Sequence, residues 1–345
     1  MPTKLTKVEK TFVVDDGKNR GPLTMLRVRF HPAEKRLVAA CADRRAAWFD
    51  LTADADQEVK GQGKCVVGQL VCPHEIGWVR CVDFRPDGKQ LATGASDRTL
   101  RVWDWIDGSP AEQAARQVTA HDGWVEAVAW SPSGGHIATA GFDGLVKVWN
   151  AADLKLLQTL TGHQRYVDDV AFTADGRRLI SGGEDGRVVV WDTASWQPVR
   201  TIDFGGANDQ SGQTPKHSGV HRLAVSRDDR WLGVAGGTWT SIFDLQSGEI
   251  VAREDRINMQ IAFHPVADML AAGESEAMFW DFDVGKFAPP EKDKNGKPQN
   301  PRGIPGKSFA SVKRGEWSLG LRFSGDGKQV ALGKANGTVE VYDVA

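Results

Sequence analysis

The side chains of a hydrolytic triad occur together in one stretch, HQRYVDDVAFTADGRRLISGGEDGRVVVWD, which begins at His163. It contains His163, Ser181 and Asp185. A hydroxyl nucleophile, a base and an orienting carboxylate would catalyse acyl transfer if the serine were accessible and an oxyanion hole lay beside it. The first question is whether these residues act on a substrate or hold the fold together.

Two other segments carry the same set at the same spacing. They are HEIGWVRCVDFRPDGKQLATGASDRTLRVWD and HDGWVEAVAWSPSGGHIATAGFDGLVKVWN. In all three segments a Trp follows the His by 28 or 29 residues, the hydroxyl lies 10 residues before that Trp, and the Asp lies 6 before it. An enzyme does not need three copies of a catalytic unit, so we predict a structural network and no catalytic residue. The network residues are His74, Thr93, Asp97, Trp103, His121, Thr139, Asp143, Trp149, His163, Ser181, Asp185 and Trp191.

Degenerate copies extend this repeat in both directions and give seven units. They end at Phe49-Asp50, Phe243-Asp244, Trp280-Asp281 and Tyr342-Asp343. Two of these units have Gly237 and Glu274 in place of the inner Asp, so we expect weaker or different contacts there. Each unit contains short runs rich in Val, Ile, Leu, Phe and Trp, separated by turn signals such as PDG and SGG. The β-branched runs and the lack of a helical period predict an all-β chain.

These features resemble the WD40-repeat family over nearly the whole chain. The residues that carry the resemblance are the starts Ala120-His121 and Gly162-His163 and the ends Trp103-Asp104, Trp191-Asp192 and Trp280-Asp281. The resemblance implies a seven-bladed β-propeller, with four antiparallel strands in each blade around a central channel. It also implies a chain of hydrogen bonds inside each blade, from Trp to hydroxyl to His to Asp. We expect a single domain over 5–345, with blades near 15–72, 73–119, 120–160, 161–202, 217–253, 254–312 and 313–345 plus 5–14.

The last unit lacks a fourth strand, while residues 8–14 form a strand-like run that belongs to no unit. We predict that this run becomes the outer strand of the last blade. That pairing closes the ring and covers an open sheet edge.

Bulk composition excludes several classes of function. The 345 residues carry a formal net charge of -2 with no continuous basic stripe, which argues against a nucleic-acid partner. No apolar run approaches the length of a membrane span, and the first residues lack a secretory signal pattern. The four cysteines, Cys41, Cys65, Cys72 and Cys81, have no metal-binding spacing. We expect reduced, mostly buried thiols, a cytoplasmic location, and neither a cofactor nor a metal site.

The repeat also locates candidate partner-binding residues. The position before each innermost strand carries a large aromatic residue in four units, and the position two residues later carries mostly charged residues. The resemblance to the WD40-repeat family implies that these two positions, and the position before the inner Asp, line a partner-binding site on the top face. The predicted residues are Trp78, Arg80, Trp124, Glu126, Phe142, Tyr166, Asp168, Glu184, His221 and Trp317. The alternative is that the aromatic residues pack between blades. Trp239, in a predicted turn, is expected to be a further exposed aromatic residue.

We therefore interpret the chain as a non-enzymatic scaffold that binds a protein or peptide on its top face. One alternative is a structural subunit that uses its side or bottom face. Another is a propeller enzyme or small-molecule binder, which would need inward-facing His or carboxylates that converge on a metal. Of three insertions, 51–64 and 282–306 are expected on the opposite face and 203–218 on the aromatic face.

Overall fold

Every regular element of the described residues is a β-strand, and the strands form seven sheets. The computed structural model describes residues 5–13, 23–55, 57–59, 63–204, 219–237, 239–254, 258–273, 277–281, 304, 308–312 and 317–345. Across these residues, no helix is long and apolar enough to cross a membrane. The seven-bladed propeller predicted from the repeat is confirmed.

The first half of the chain supplies blades 1 to 4. The first strand, β1 (Leu5–Val13), precedes blade 1. Blade 1 comprises β2 (Met25–Phe30), β3 (Arg36–Cys41), β4 (Ala46–Asp50) and β7 (Gln69–Val71). A hairpin of β5 (Gln57–Val59) and β6 (Gly63–Val67) lies between β4 and β7 in the chain. Blade 2 comprises β8 (Val79–Phe84), β9 (Gln90–Ala95), β10 (Thr99–Ile106), β11 (Ser109–Pro110) and β12 (Arg116–Thr119). Blade 3 comprises β13 (Val125–Trp130), β14 (His136–Gly141), β15 (Leu145–Asn150) and β16 (Leu156–Thr161). Blade 4 comprises β17 (Val167–Phe172), β18 (Arg178–Gly183), β19 (Arg187–Asp192) and β20 (Pro198–Asp203).

The second half supplies blades 5 to 7. Blade 5 comprises β21 (Val220–Val225), β22 (Trp231–Gly236), β23 (Thr240–Asp244) and β24 (Ile250–Glu254). Blade 6 comprises β25 (Gln260–Phe263), β26 (Met269–Gly273), β27 (Ala277–Asp281) and β28 (Ser308–Val312). Blade 7 comprises β29 (Ser318–Phe323), β30 (Gln329–Lys334) and β31 (Thr338–Val344), and it continues into β1, β6 and β5.

The core of the propeller lies between neighbouring blades. The second strands, such as LATGA in β9 and LISGG in β18, are buried on both faces and rich in small residues. A Cβ added at Gly94 would come within 2.5 Å of Val125 in the next blade, and one added at Gly182 within 2.4 Å of Val220. Glycine is therefore required at both positions, because the innermost strand of the following blade packs directly against the backbone.

The N-terminal strand closes the ring, as the sequence predicts. β1 pairs antiparallel with β31, from Leu5 opposite Val344 to Val13 opposite Thr338. Phe12 is buried and meets Phe49 of blade 1 edge to face, with ring centroids 5.9 Å apart. The strand therefore completes blade 7 and also fills the interface between blades 7 and 1.

The hairpin of β5 and β6 differs from expectation. The sequence places residues 51–64 in a loop of blade 1 on the opposite face, whereas β6 pairs in parallel with β1 and extends blade 7 to six strands. The physical reason is that β1, as an outer strand, would otherwise leave its own edge unpaired. Of the other insertions, residues 205–218, 282–303 and 305–306 lie outside the described residues.

Ion pairs between innermost strands brace the central channel. Arg27 of blade 1 reaches across to Asp169 of blade 4, with Nη1 2.7 Å from Oδ1, and both side chains are almost fully buried. Asp169 also accepts the backbone N–H of Leu223 in blade 5 at 2.9 Å. Burial opposes ionisation of Asp169, but Arg27 and Arg222 outweigh it and hold the pKa of this carboxyl below its usual range. One buried charge pair thus joins three blades.

Removing the closure strand should destabilise the whole ring. We expect deletion of residues 1–15 to lower the melting temperature sharply. Phe12→Ala should lower the free energy of unfolding by roughly 3–5 kcal/mol, because it leaves a cavity between two blades. Thr6→Ala, at an exposed position of the same strand, serves as the control and should change stability by less than about 0.5 kcal/mol. Thermal denaturation measures the truncated protein and chemical denaturation the two substitutions, and a truncated protein as stable as the full chain would refute this closure.

Candidate functional site

The predicted His, hydroxyl, Asp and Trp residues come together in blades 2, 3 and 4 with nearly identical geometry. The Trp Nε1–H donates to the hydroxyl oxygen at 2.9 Å in all three blades. The hydroxyl lies 2.8 Å from His Nε2 in each. His Nδ1 lies 2.9, 2.9 and 3.0 Å from the nearest carboxylate oxygen of Asp97, Asp143 and Asp185.

The chemistry of the end groups sets the direction of this chain of hydrogen bonds. An indole N–H can only donate and a carboxylate can only accept. The hydroxyl therefore donates to Nε2, and the neutral imidazole carries its proton on Nδ1. Thr93, Thr139 and Ser181 are fully buried, and each hydroxyl is occupied by two hydrogen bonds. Ser181 is thus not presented to a substrate as a nucleophile would be.

The inner Asp residues also hold the loops of the top face. Each accepts the backbone N–H of the residue after the His, at 3.1, 3.1 and 2.8 Å for Glu75, Asp122 and Gln164. Burial opposes ionisation of all three carboxyls, but hydrogen bonds from His outweigh it and hold their pKa values below the usual range. The network therefore fixes the loop before the innermost strand against the turn between the second and third strands.

A repeated backbone hydrogen bond places the predicted partner-binding positions side by side. The residue before the inner Asp donates its N–H to the carbonyl of the residue before the innermost strand. The pairs are Ser96 with Trp78 at 2.9 Å, Phe142 with Trp124 at 2.9 Å, Glu184 with Tyr166 at 3.0 Å and Ala335 with Trp317 at 2.9 Å. In blade 5 the residue that replaces the inner Asp in the repeat, Gly237, makes the equivalent bond to Gly219 at 3.3 Å. Gly219 thus occupies in blade 5 the position that is aromatic in four other blades.

Three of the predicted aromatic residues form a continuous stack. The Trp124 and Phe142 ring centroids are 5.2 Å apart, and Phe142 stacks on Tyr166 at 4.8 Å with 13° between the ring planes. The Arg80 guanidinium lies 4.8 Å from the Trp124 ring centroid, and its Nε is 2.7 Å from Glu126. Trp124 is 44% exposed and Phe142 49%. The stack therefore presents a fixed apolar surface to solvent.

Other aromatic residues are placed differently. Trp78 and Trp317 are exposed, but no ring contact among the described residues connects them to the stack. Trp239, expected to be exposed, is only 3% exposed: it packs on Phe204 at 6.0 Å, and Arg253 covers it. The reason is that blade 5 has Val234 and Phe243 at the strand positions where blades 2 to 4 have the hydroxyl and the Trp. Apolar packing by Trp239 and Phe204 stabilises this blade instead.

The predicted partner-binding position two residues after the aromatic position is a bulge in the innermost strand. The register shifts by one residue at this point in six of the seven innermost strands described. A bulged residue lies outside the ladder of paired residues, and the bulge re-aims its side chain. The bulged residues are Leu26, Arg80, Glu126, Asp168, His221 and Leu319.

The fold brings together three groups that sequence spacing did not connect as metal ligands. Asp168, Glu184 and His221 each offer a ligand atom, and these atoms lie within 4.8 Å of one another. Burial, together with the charges of Glu126 and Glu184, raises the pKa of Asp168 well above its usual value. Burial and Arg222 lower the pKa of His221 to about 4. Burial, Asp168 and Glu184 raise the pKa of Tyr166 to about 12. The groups belong to neighbouring blades, so no local spacing reveals them.

The comparisons with known proteins agree with this architecture. The family model described as "WD domain, G-beta repeat" matches residues 68–104, 113–150 and 154–192, which end at the Trp-Asp or Trp-Asn pairs of blades 2 to 4. The chain contains three WD40 repeats within a seven-bladed propeller. The three matched WD40 repeats are those that carry the complete hydrogen-bond network.

Two curated relatives share short segments with this chain. The pre-mRNA-splicing factor prp5 of Schizosaccharomyces pombe is 52% identical over 33 residues, which cover 10% of this chain and 7% of the relative. A Notchless protein homolog of Arabidopsis thaliana is 56% identical over 32 residues, which cover 9% of this chain and 7% of the relative. Each match spans a small fraction of either protein.

Breaking the network should cost stability. Asp185→Ala removes the acceptor of the His163 Nδ1 proton and leaves a buried imidazole N–H unsatisfied, so we expect a loss of roughly 1–3 kcal/mol in the free energy of unfolding. Asp122→Ala, at an exposed acid beside His121, is the matched control and should have little effect. Urea denaturation compares the two, and equal stabilities would contradict a structural role for Asp185.

Asp168 and Asp169 are adjacent but should have opposite effects on stability. The pKa of Asp168 is raised on folding, so the folded state binds its proton more tightly and stability falls as pH rises above about 4. Asp168→Asn removes the penalty and should raise the melting temperature at pH 7 in metal-free buffer, with the gain vanishing near pH 4. Asp169→Asn loses the ion pair with Arg27 and should lower the melting temperature at pH 7. A destabilised Asp168→Asn variant would contradict this assignment.

Proposed function

We propose that this WD40 protein is a non-enzymatic interaction platform that binds a protein or peptide through the top face of its propeller. The WD40 propeller typically serves as a scaffold for protein interactions. The observation that carries the proposal is the exposed stack of Trp124, Phe142 and Tyr166 beside the mouth of the channel.

The stack has the properties of an interaction hot spot. Large aromatic side chains bury much area at low entropic cost, and they are enriched among the residues that dominate binding energy. Trp124 and Phe142 lie on loops that backbone hydrogen bonds already hold in place, so little order has to be gained on binding. An apolar or aromatic side chain of a partner could cover the rings without rearrangement of the blade.

Paired charges surround the stack. Arg80 is paired with Glu126, and Arg165 lies 3.9 Å from Glu184. This mixed pattern favours a peptide segment with an apolar anchor flanked by charged groups. A nucleic acid is disfavoured as the partner, because its affinity depends on contacts between several cations and the phosphates.

A second mode of assembly would use the side of the propeller. Leu156 and Leu157 on β16 and Val199 on β20 are exposed apolar residues of outer strands. They are dispersed on edge strands and form no aromatic cluster, so the top face supports the proposal better.

Pull-down from the native cell, quantified by mass spectrometry, tests the proposal. Trp124→Ala with Tyr166→Ala should lower recovery of specific partners at least tenfold, because truncation of a hot-spot residue commonly costs about 2 kcal/mol or more. Leu157→Ala with Val199→Ala is the matched control on the side face and should leave recovery unchanged. Equal recovery by the wild type and the top-face variant would reject the proposal. Loss of partners only in the control would indicate side-face assembly instead.

A further inference from the structure

We propose that Asp168, Glu184 and His221 form a binding site for one divalent transition-metal ion, best matched by Zn²⁺, at the top mouth of the channel. One imidazole nitrogen and two carboxylate oxygens lie within 4.8 Å of one another. This inference does not rest on the partner proposed above, because it concerns a metal ion and its evidence does not involve the aromatic stack.

The fold builds this site from two neighbouring blades. Asp168 and His221 are the bulged residues of β17 and β21, so both side chains lie outside the strand ladders. Glu184 lies in the turn after β18, where its N–H is bonded to the carbonyl of Tyr166 at 3.0 Å. Two innermost strands and one turn thus supply the three ligands.

Gly219 makes room for the third ligand. This residue takes the position that holds Trp78, Trp124, Tyr166 and Trp317 in other blades. A Cβ at Gly219 would lie 2.0 Å from Glu184 Oε2. The Glu184 carboxylate therefore occupies space that the side chain at this position would otherwise fill.

Two of the three ligand groups have ligand atoms without a hydrogen-bond partner among the described residues. Asp168 Oδ2 is buried and has no hydrogen-bond partner. The His221 ring makes no hydrogen bond within the described part of the chain. By contrast, the imidazoles of His74, His121 and His163 are satisfied at both nitrogens. A buried carboxyl oxygen without a partner is costly, and a metal ion is one ligand that would satisfy it.

The ligand chemistry selects the kind of metal. Ca²⁺ and Mg²⁺ prefer oxygen ligands alone, whereas imidazole with carboxylates suits Zn²⁺ and its first-row neighbours. Zinc with bonds of about 2.0–2.1 Å holds its ligand atoms roughly 3.3 Å apart, so the three atoms must close slightly around the ion. We assign this movement to Glu184, whose side chain is 20% exposed. Three protein ligands leave one tetrahedral position for water or an exogenous ligand.

The surrounding charges are compatible with a cation. Glu126 and Arg27 are already paired with Arg80 and Asp169, respectively. Arg222 lies near Asp168 and partly offsets its charge. A divalent ion would relieve the remaining repulsion between the Asp168 and Glu184 carboxylates.

Titration of the metal-free full-length protein with Zn²⁺ by calorimetry, and with Co²⁺ by visible absorption, tests the inference. We expect one ion per chain and Co²⁺ absorption bands of a nitrogen- and oxygen-ligated centre. Asp168→Asn, Glu184→Gln and His221→Ala should each weaken Zn²⁺ affinity at least tenfold and abolish the Co²⁺ bands. The matched control is His136→Ala, which removes a partly exposed histidine of blade 3 that lies against Trp196 and should bind as the wild type does.

The outcomes separate ligand loss from unfolding. Asp168→Asn is expected to fold at least as stably as the wild type in metal-free buffer, so its loss of affinity cannot be attributed to a disrupted propeller. Absence of stoichiometric binding by the wild type would overturn the inference. Equal affinity of the three ligand variants and the wild type, or loss of binding in His136→Ala alone, would overturn it as well.

Discussion

A propeller has no single central core, so its stability depends on closing a ring of sheets in which each blade contacts only its neighbours. The pairing of β1 with β31 supplies this closure, and it places Phe12 between the last blade and the first. Contacts across the channel depend on this closure of the ring. The ion pair of Arg27 with Asp169 joins blades that are far apart in sequence, and it can form only if the ring holds them at a fixed separation.

Within that ring, the blades are stabilised in two different ways. Blades 2 to 4 bury a Trp, a hydroxyl and a His in one hydrogen-bonded chain that ends on an Asp at the top face. Blade 5 replaces this chain with packing between Phe204 and Trp239. The hydrogen-bonded network of blades 2 to 4 fixes more than the core, because its Asp also accepts a backbone N–H from the loop that leads into the innermost strand. Blades 3 and 4 carry the aromatic stack, and blade 2 contributes the Arg80 guanidinium that lies against it.

Much of the fold could be predicted because the repeat has a fixed period. The spacing of Trp103, Trp149 and Trp191 from their partners predicted the blades, and an unassigned apolar run predicted the closing strand. The pairing of β6 with β1 could not be predicted, because parallel pairing between distant segments leaves no local pattern. The prediction that Trp239 is exposed was wrong, because its burial depends on the absence of the hydroxyl and the Trp from blade 5 and on a contact with the distant Phe204.

The candidate site shows the same limit. Aligned positions identified Trp124, Phe142 and Tyr166 as neighbours on one face, and the same backbone hydrogen bond holds this face in blades 2, 3 and 4. The approach of Glu184 to His221 was not apparent, because it joins a turn of one blade to a strand of the next. One signal in the sequence could have indicated this contact. Gly219 interrupts the series of aromatic residues, and the missing side chain leaves space for a side chain of the neighbouring blade.

The bulges of the innermost strands have a consequence for how such a protein can change over evolutionary time. A bulged residue such as Arg80 or His221 is paired with no residue across the ladder, so replacing it leaves the register and the buried network of its blade intact. Each blade can therefore acquire a new side chain at the mouth without a change in its own strand pairing, while neighbouring pairs such as Arg80 and Glu126 would change together. The rim is therefore a set of exchangeable positions on an unchanged frame. Single substitutions there can alter binding specificity without disturbing the strand pairing of the blade.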